Sequence, residues 1–556
     1  IEVVGFVPWW HKYSTYDGKG SHDAVSSEWK VVEILSSYGA TLSQIVDTLG
    51  ASNASFMSWA PFPEKVPPKE APLRVNLQNK TYICFFNGDH DGGTINHGFN
   101  SAWMDPRRGQ IPIGWGIVPG IMNDFTALYN YLRETATKND FFWAGASGAG
   151  YSNPGYISSN IWKQYNQHIY SRTGYTMTGF ILNGNAGAIT SSIEAMYRDF
   201  SGDGICGLGS QVQSPKYDVR SGNVAIGAIS LDIDRANVDA GVSAIYNYTR
   251  TLSNPGKSPN FIVVRSSFAL PSVLEQVYKK LKTQYPAYNY EVVDPYTLFS
   301  LIRQKDQGQL AYDAVVIDIQ APERMVCNEK YDVSVTLRNV GTYTWTEADL
   351  FRLGASPYNQ FMWSDYKDGG YSNSVTDQRV FLSSADIIEP QQIKTFSFKI
   401  TAPSTAGTYN LSTCMVRDGV TWFGSTYTKS IQVVNASEME ARLVSIDAPD
   451  EIVQGQRATV SFTFKNIGTS TWTAADNYRL GSLVLTKDEQ THYAIPNVFE
   501  WTDFADGGYS NSVSDQRAFL SVNDSIAPGQ SKTFTFDIIA PYGRGKFILS
   551  GKMVRE

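Results

Sequence analysis

The chain has few cysteines, no long apolar run and no excess of positive charge. Its 556 residues include four cysteines, and the formal net charge is −7. A membrane-spanning helix needs a run of about 18 apolar residues, and none occurs, so we expect no membrane span. The negative net charge argues against a broad nucleic-acid-binding surface. An apolar fraction of 42% is typical of folded proteins, and this length predicts roughly two to four domains.

Strands and helices alternate over residues 1–312. Helical periodicity occurs over 27–49, 159–170 and 271–284. The predicted strands are 2–8, 81–86, 111–117, 141–145, 178–182, 224–231, 260–264 and 290–293. About eight strands alternating with helices predict an α/β domain of (β/α)-barrel-like form, with a doubly wound open sheet as the alternative.

At about residue 313 the pattern changes to period two, which is typical of all-β structure. The stretch 337–355 recurs at 464–482, and 363–383 recurs at 501–521. We therefore predict two β-sandwich domains, 313–435 and 441–556. The second copy stops before a counterpart of the last strand of the first copy, and the chain begins without an initiator methionine or signal-peptide pattern. We expect a processed or partial chain that continues past Glu556.

Two features favour an extracellular or cell-surface protein. Cys327 and Cys414 lie in the first repeat, and their counterparts in the second are Gln454 and Lys552. The joint loss predicts one disulfide between them, with two independent thiols as the alternative. Six Asn-x-Ser/Thr sequons are candidate glycosylation sites. They are Asn53, Asn79, Asn247, Asn410, Asn435 and Asn523.

Carboxylates follow two of the predicted strands. Asp89 and Asp91 come after the strand at 81–86, and Asp232 and Asp234 come after the strand at 224–231. Catalytic groups of parallel-sheet folds collect at this end of the strands. Two carboxyl groups that face each other across the mouth can act as a catalytic pair when their pKa values differ, so we predict Asp89 and Asp232 as the catalytic pair, with Asp91 and Asp234 next. The alternative is that these residues cap helices or form turn hydrogen bonds.

Other residues are candidates for a metal site or for substrate binding. Asp89, His90, Asp91 and His97 have the chemistry of a hydrolytic metal site, although we favour a mechanism without metal or cofactor. Glycines at 148 and 150 would allow the backbone to approach a ligand closely. The predicted substrate-binding residues are Trp9, Trp10, Lys12, Trp103, Arg107, Gly148, Gly150 and Tyr151.

The heptapeptide at 148–154, Gly-Ala-Gly-Tyr-Ser-Asn-Pro, resembles the signature of the GxGYxYP family of putative glycoside hydrolases. Asn153 stands where the family motif has tyrosine. The resemblance extends over about residues 1–305, through Pro8-Trp9-Trp10, the Gly-Asp-x-Asp turn at 88–91 and the stretch from Trp103 to Pro119. It implies a carbohydrate-active enzyme and leaves the sugar open.

The two repeats look like Ig-like four-tryptophan domains. Their aromatic landmarks are Trp345, Trp363, Trp422, Trp472 and Trp501. Tryptophan in such domains is expected in the core, and a sugar-binding platform is the alternative. The sequence thus predicts a secreted or surface-attached hydrolase of glycosidic bonds, with carbohydrate as its partner and Ig-like modules that space it or bind. The alternative is a non-enzymatic surface-layer, sheath or filament protein that self-associates through these modules.

Overall fold

A computed structural model of the chain describes residues 2–4, 15, 29–43, 66, 68–69, 71–72, 74–88, 99–157, 160–220, 223–234, 236–356, 359–482, 499–502, 509–512, 515–541, 547 and 549–555. The part before residue 314 contains both strands and helices. They are β1 (Glu2–Val4), α1 (Trp29–Ser37), β2 (Thr41–Ser43), β3 (Thr81–Gly88), α2 (Phe99–Trp103), β4 (Ile113–Gly116), α3 (Ile121–Asp124), α4 (Thr126–Glu134), β5 (Asp140–Trp143), α5 (Asn160–Thr173), β6 (Met177–Ile181), α6 (Ser191–Arg198), β7 (Gly204–Leu208), β8 (Asp218–Arg220), β9 (Val224–Asp232), α7 (Val238–Thr249), β10 (Asn260–Arg265), α8 (Pro271–Gln284), β11 (Tyr290–Val292) and α9 (Pro295–Gln307).

Seven parallel strands form a nearly closed barrel, in the order β5-β4-β3-β10-β9-β7-β6. Ala144, which follows β5, pairs with Thr178 of β6 and brings the two ends of the sheet together. The predicted barrel-like α/β region is therefore confirmed. Three details were wrong. β1 pairs with β2 in a separate two-stranded sheet, the helix predicted over 27–49 ends at Ser37 and is followed by β2, and β7 was not predicted.

Alternating side chains of the barrel strands face two different cores, as the period of two requires. Tyr82, Cys84 and Phe86 of β3 belong to the cluster inside the barrel. Ile83 and Phe85 of the same strand belong to the outer cluster, which packs against the helices. Both sets are fully buried, so β3 reads as a continuous apolar run rather than an alternating one.

Helix α9 closes the N-terminal end of the barrel. It begins with Pro295 after Asp294, whose Oδ1 accepts a hydrogen bond of 2.9 Å from the amide of Thr297. Phe299 of this helix lies 6.2 Å from Trp143 inside the barrel. A Cβ atom at Gly204, the first residue of β7, would overlap the ring of Phe299. Glycine at this position therefore lets the helix approach the strand.

The rest of the described chain consists of strands. They are β12 (Ala314–Gln320), β13 (Arg324–Val326), β14 (Lys330–Asn339), β15 (Phe351–Ala355), β16 (Met362–Ser364), β17 (Gly370–Ser372), β18 (Gln378–Phe381), β19 (Ile393–Thr401), β20 (Gly407–Arg417), β21 (Thr421–Val434), β22 (Ala441–Asp447), β23 (Arg457–Asn466), β24 (Trp472–Thr473), β25 (Tyr478–Ser482), β26 (Glu500–Thr502), β27 (Tyr509–Ser512), β28 (Asp515–Phe519), β29 (Ser525–Ile526), β30 (Ser531–Ile539) and β31 (Gly551–Arg555).

These strands form two units, each with sheets around one core. In the first unit, the sheets β12-β14-β19-β16 and β13-β21-β20-β15-β18-β17 share one hydrophobic cluster. In the second unit, the sheets β22-β23-β30-β26 and β27-β28-β25-β31 enclose a second cluster. The tryptophans predicted for these cores are buried at four positions, namely Trp345, Trp363, Trp472 and Trp501. Trp422 is an exception, because 41% of its surface is exposed.

The predicted disulfide is absent, since all four cysteines are free thiols. Cys414 of β20 donates a hydrogen bond of 3.2 Å to the carbonyl of Phe423, at the start of β21. The amide of Cys327 donates to the carbonyl of Val434, at the other end of β21. At about 3.3 Å per residue these positions are roughly 35 Å apart, whereas a disulfide needs Cα atoms within about 7 Å.

The first unit docks on the N-terminal end of the barrel through buried, paired charges. Arg338 of β14 donates to Asp203, which immediately precedes β7, with Nε–Oδ1 and Nη2–Oδ2 distances of 2.7 and 3.0 Å. The two side chains are 1% and 5% exposed. Arg303 of α9 donates a hydrogen bond of 2.7 Å to the backbone carbonyl of Asn223. The side-chain amide of Asn223 donates a hydrogen bond of 2.9 Å to Asp313, just before the first strand of the unit. The end of the barrel opposite this interface carries the C-terminal ends of the strands.

Candidate functional site

The floor of the C-terminal mouth of the barrel is an aromatic ring cradled by glycines. Phe86 of β3 is fully buried. The centre of its ring lies 5.2 Å from that of Trp143 in β5 and 5.9 Å from that of Phe180 in β6. A Cβ atom at Gly88, Gly116 or Gly179 would overlap the Phe86 ring. The absence of side chains at the last residues of β3 and β4 and in the middle of β6 thus leaves the room that this ring occupies.

An ion pair between two adjacent strand ends lies beside this floor. Asp232 is the last residue of β9 and is paired in register with Arg265, the last residue of β10. Arg265 donates from Nε to Asp232 Oδ2 over 2.7 Å, and its Nη2 donates to the same oxygen. Asp232 Oδ1 accepts 2.8 Å from the amide of Asp234. The side chains of Asp232 and Arg265 are 37% and 26% exposed, so the pair faces the solvent at the mouth.

The turn after β10 is clamped to the end of β3. The side-chain amide of Asn87, which is fully buried, donates 3.1 Å to the carbonyl of Ser266 and 3.0 Å to that of Ala269. Ser267 Oγ donates to the carbonyl of Gly88. Between these anchors, Phe268 is half-buried and has a φ of +58°, a region that bulky side chains rarely adopt. Such strain persists only where the surroundings enforce it, and it is concentrated at functional sites.

The glycine-rich loop at 148–154 is a packed turn at the same end of the barrel. The amides of Gly148 and Ala149 donate to Asn166 Oδ1 of α5 over 2.5 and 3.2 Å, and Gly150 has a φ of +92°. Tyr151 is buried in a small cluster with Val32 of α1. The side chain of Tyr151 therefore packs against α1, and its role in substrate binding stays a prediction.

Asn153, which stands where the family motif has tyrosine, is also buried. It is 2% exposed, and its amide donates 2.9 Å to Ser36 Oγ of α1. A Cβ atom at Gly184 would overlap its side chain. The site of Asn153 is therefore shaped for a small side chain, and the tyrosine of the family motif would not fit there without rearrangement.

Two other predicted substrate-binding residues, Trp103 and Arg107, have side-chain hydrogen-bond partners outside the barrel strands. Trp103 is 2% exposed, packs 5.0 Å from Trp115, and donates 3.0 Å from Nε1 to Thr135 Oγ1. Arg107 forms a two-pronged ion pair with Glu275 of α8, at 2.7 and 2.5 Å. Trp103 is the last residue of α2, and Arg107 lies between this helix and β4. Their role in substrate binding stays a prediction.

Of the predicted catalytic residues, the structure places Asp232 and Asp234 side by side at the mouth. The remaining candidates lie outside the described residues, and they are Asp89, Asp91, His90, His97, Trp9, Trp10 and Lys12. Within the described ranges, no group of three or more His, Cys, Asp or Glu side chains could hold a metal ion. The helices in those ranges also include none long and apolar enough to cross a membrane.

Sequence reasoning missed Arg265, Asn87 and Ser267. Arg265 had a readable signal, because it is a charged residue directly after the apolar strand predicted at 260–264. Asn87 and Ser267 act through contacts between β3 and the turn after β10, which lie 179 residues apart in the chain. These contacts follow from the pairing of β10 with β3, which no local pattern reveals.

Comparison with known proteins relates the barrel to a glycosidase family. Residues 79–303 match the model of the GxGYxYP putative glycoside hydrolase C-terminal domain. The search of curated proteins found no match.

Solved structures with some similarity include three from different organisms. A putative hydrolase from Bacteroides thetaiotaomicron is 18% identical, with a TM-score of 0.36, and the match covers 50% of this chain and 55% of that one. The CARDB domain of a Pyrococcus furiosus protein is 15% identical over 22% of this chain and 97% of that one, with a TM-score of 0.15. A family 123 glycoside hydrolase from Clostridium perfringens is 15% identical over 21% and 23% of the two chains, with a TM-score of 0.14. The chain thus spans about half the length of the Bacteroides protein.

Proposed function

We propose that the barrel is the catalytic domain of an extracellular carbohydrate-active hydrolase, which cleaves glycosidic bonds at the C-terminal mouth. The observation that carries this proposal is the match of residues 79–303 to a glycoside hydrolase family model. The exposed carboxylate of Asp232 at the end of β9 supports it, because catalytic groups of barrels collect at these strand ends. The two units that follow are proposed to be Ig-like modules that space the barrel or bind a partner.

The two carboxyl groups of the reaction are assigned to Asp232 and Asp89. Phe86 of β3, Arg265 of β10 and Asp232 of β9 lie in one row across three adjacent strands. Two strand spacings are about 10 Å, and Asp89 follows directly on the last residue of β3. Glycosidases separate their two carboxyl groups by roughly 5–10 Å, and this is the separation that the assignment requires. Asp91 and Asp234 are the second choices.

The surroundings of Asp232 favour one role over the other. Arg265 and the amide of Asp234 donate hydrogen bonds to both of its oxygens, which fixes the orientation of the side chain and uses both oxygens as acceptors. Asp232 is therefore assigned as the nucleophile or base. The acid that protonates the leaving oxygen is assigned to Asp89.

The experiment is a comparison of Asp89→Asn and Asp232→Asn with the wild type. Turnover would be measured on 4-nitrophenyl glycosides of several sugars and on polysaccharides by release of reducing ends. Loss of a catalytic carboxyl group is expected to lower turnover about a thousandfold while circular dichroism stays unchanged. Asp239→Asn is the control, since Asp239 of α7 is 82% exposed and pairs with Lys280 on the outer surface. Full turnover by both mouth variants would contradict the assignment.

One observation favours a second candidate, a non-enzymatic surface or filament protein. The Asp232–Arg265 pair also joins β9 to β10 and would serve a purely structural role equally well. In that case the wild type would turn over none of the glycosides, Asp232→Asn would lower the thermal midpoint alone, and sedimentation would detect assembly through the two units.

The extracellular location rests on the sequons. The five that the structure describes place their asparagine on exposed surface, and they are Asn79, Asn247, Asn410, Asn435 and Asn523. Asn53 lies outside the described residues. The four free thiols add no support. Expression through a eukaryotic secretory pathway should give a protein whose mass falls on treatment with an N-glycosidase, and an unchanged mass would count against glycosylation.

A further inference from the structure

The exposed tryptophan of the first unit lies on a flat sheet face that no part of the proposed reaction uses. Trp422 stands near the start of β21, and 41% of its surface is exposed. Its ring extends across β20 and lies over Gly354 of β15, where a Cβ atom would come within 2.6 Å of Trp422 Cη2. Glycine at this position therefore lets the indole lie down on the sheet instead of projecting from it.

A row of further side chains continues this surface across the sheet. Arg379 of β18 is paired in register with Gly354 on one side and with Tyr371 of β17 on the other. Its guanidinium carbon lies 4.6 Å from the centre of the Trp422 ring. Trp422, Arg379 and Tyr371 define what we call the Trp422 face. From β21 to β17 it spans four strand spacings, or about 20 Å.

Ion pairs hold the charged groups of this face in place. Arg379 Nε donates 2.9 Å to Asp418 Oδ1, and Arg352 Nη1 donates 2.9 Å to Asp418 Oδ2. Arg352 also donates 2.6 Å to Glu347 and lies 3.8 Å from the ring of Phe381. The guanidinium groups are therefore oriented before any ligand arrives, which lowers the entropic cost of binding.

We propose that the Trp422 face binds a neutral polysaccharide. A pyranose ring has apolar C–H faces that stack on an aromatic plane and a rim of hydroxyl groups that hydrogen-bond to charged and polar side chains. The face supplies the partly exposed indole of Trp422, the guanidinium of Arg379 against its ring, and the neighbouring Arg352, each arginine with its carboxylate partners. Two guanidinium groups stand against the carboxylates of Glu347, Asp377 and Asp418, so the charges nearly balance.

This charge balance decides the chemical class of the ligand. A sulfated or carboxylated polymer would need unpaired cations, whereas both arginines of the face are engaged with carboxylates. A sheet surface about 20 Å long also suits several successive sugar rings of a polymer better than one small molecule, which is usually bound in a concave pocket. This binding site is separate from the barrel mouth and does not depend on hydrolysis there.

The test is native gel electrophoresis of the full chain in gels that contain mixed-linkage β-glucan, xyloglucan, glucomannan, galactomannan or starch. At least one polymer should retard the wild type. Trp422→Leu keeps an apolar side chain but removes the aromatic ring, so it should bind the polymer about tenfold more weakly than the wild type. Trp422→Tyr keeps an aromatic ring and should retain most of the binding. Val420→Ser is the matched control, because Val420 lies in the adjacent turn and is 59% exposed.

The variant Asp232→Ala distinguishes binding at the barrel mouth from binding at the Trp422 face. If the Trp422 face holds the polymer, this variant should be retarded like the wild type. Hydrogen exchange of the wild type with a hexasaccharide of the retarding polymer should protect residues 418–424, a readout that needs no variant to fold. Retardation that survives in Trp422→Leu but not in Asp232→Ala would overturn the proposal. A wild type that no polymer retards would also overturn it and would point to a protein partner. Neither result would bear on turnover of small glycosides, which tests the proposed function separately.

Discussion

Removal of the charge of Asp203 should destabilise the junction between the barrel and the first unit. Arg338 and Asp203 are 1% and 5% exposed, so neither group has water to replace a lost partner. Asp203→Asn keeps the size of the side chain but leaves a buried guanidinium without its countercharge. Breaking one side of a buried pair costs about 3–5 kcal/mol. The carbonyl of Gln391, which accepts 2.7 Å from Arg338 Nη1, offsets only part of this loss.

The assay is urea unfolding of the full chain, followed by tryptophan fluorescence. Asp203→Asn should lower the free energy of unfolding by about 3–5 kcal/mol. Asp203→Leu combined with Arg338→Met should recover most of that loss, because an apolar pair has no charge to leave unpaired. Asp332→Asn is the control: Asp332 is 87% exposed and pairs with Lys399 at 3.5 Å, so its loss should cost less than about 1 kcal/mol. A cost for Asp203→Asn as small as that of the control would refute the reasoning.

Three further predictions concern pH, thiols and the strained turn. Arg107 and Lys279 lower the pKa of Glu275 from 4.5 to about 2, so its contribution to stability is present above pH 4.5 and lost as the pH falls toward 2; Glu275→Gln should flatten this part of the stability–pH curve. Titration of the unfolded, unreduced protein with a thiol reagent should find four thiols. A count of two would instead indicate that the predicted disulfide forms. Phe268→Gly should release strain at the mouth and lower turnover, whereas Leu350→Gly, at φ +62° in the first unit, should leave turnover unchanged; equal turnover in both variants would remove Phe268 from the site.

The barrel strands could be predicted where they carry enough β-branched and aromatic residues. β3 and β10 are apolar on both faces because helices cover the outside and aromatic residues fill the inside, and such runs are easy to recognise. β7 could not be found in this way. Glycine occupies positions 204 and 207 of its five residues, and the glycines are there because Phe299 and Ile189 fill the space of a side chain. These requirements come from the packing of α9 and of the segment before α6, and they are invisible in the local sequence.

The candidate site was predictable only as far as strand ends can be read. Asp232 follows an apolar strand, and the structure places it at the mouth. Its partner Arg265 belongs to β10, which inserts between β9 and β3, and strand order is not encoded locally. Trp103 shows the converse, namely that nearness in the chain does not fix the place of a side chain in the fold. It is near the predicted active strand in the chain, but α2 carries it to the outer layer, where it packs on Trp115.

The docking of the first unit on the N-terminal end of the barrel gives the molecule a fixed direction. Gly202 approaches the backbone of Val316 so closely that a Cβ atom would overlap the carbonyl oxygen, and the buried charges of Arg338 and Asp203 resist sliding. The junction therefore behaves as a rigid joint rather than a hinge. Whatever the first unit holds is kept at a constant distance and angle from the mouth, and the open end of the barrel points away from the joint. A long polymer held on the first unit would have to bend around the barrel wall to reach the mouth. Otherwise a different chain of the same polymer would have to bind at the mouth.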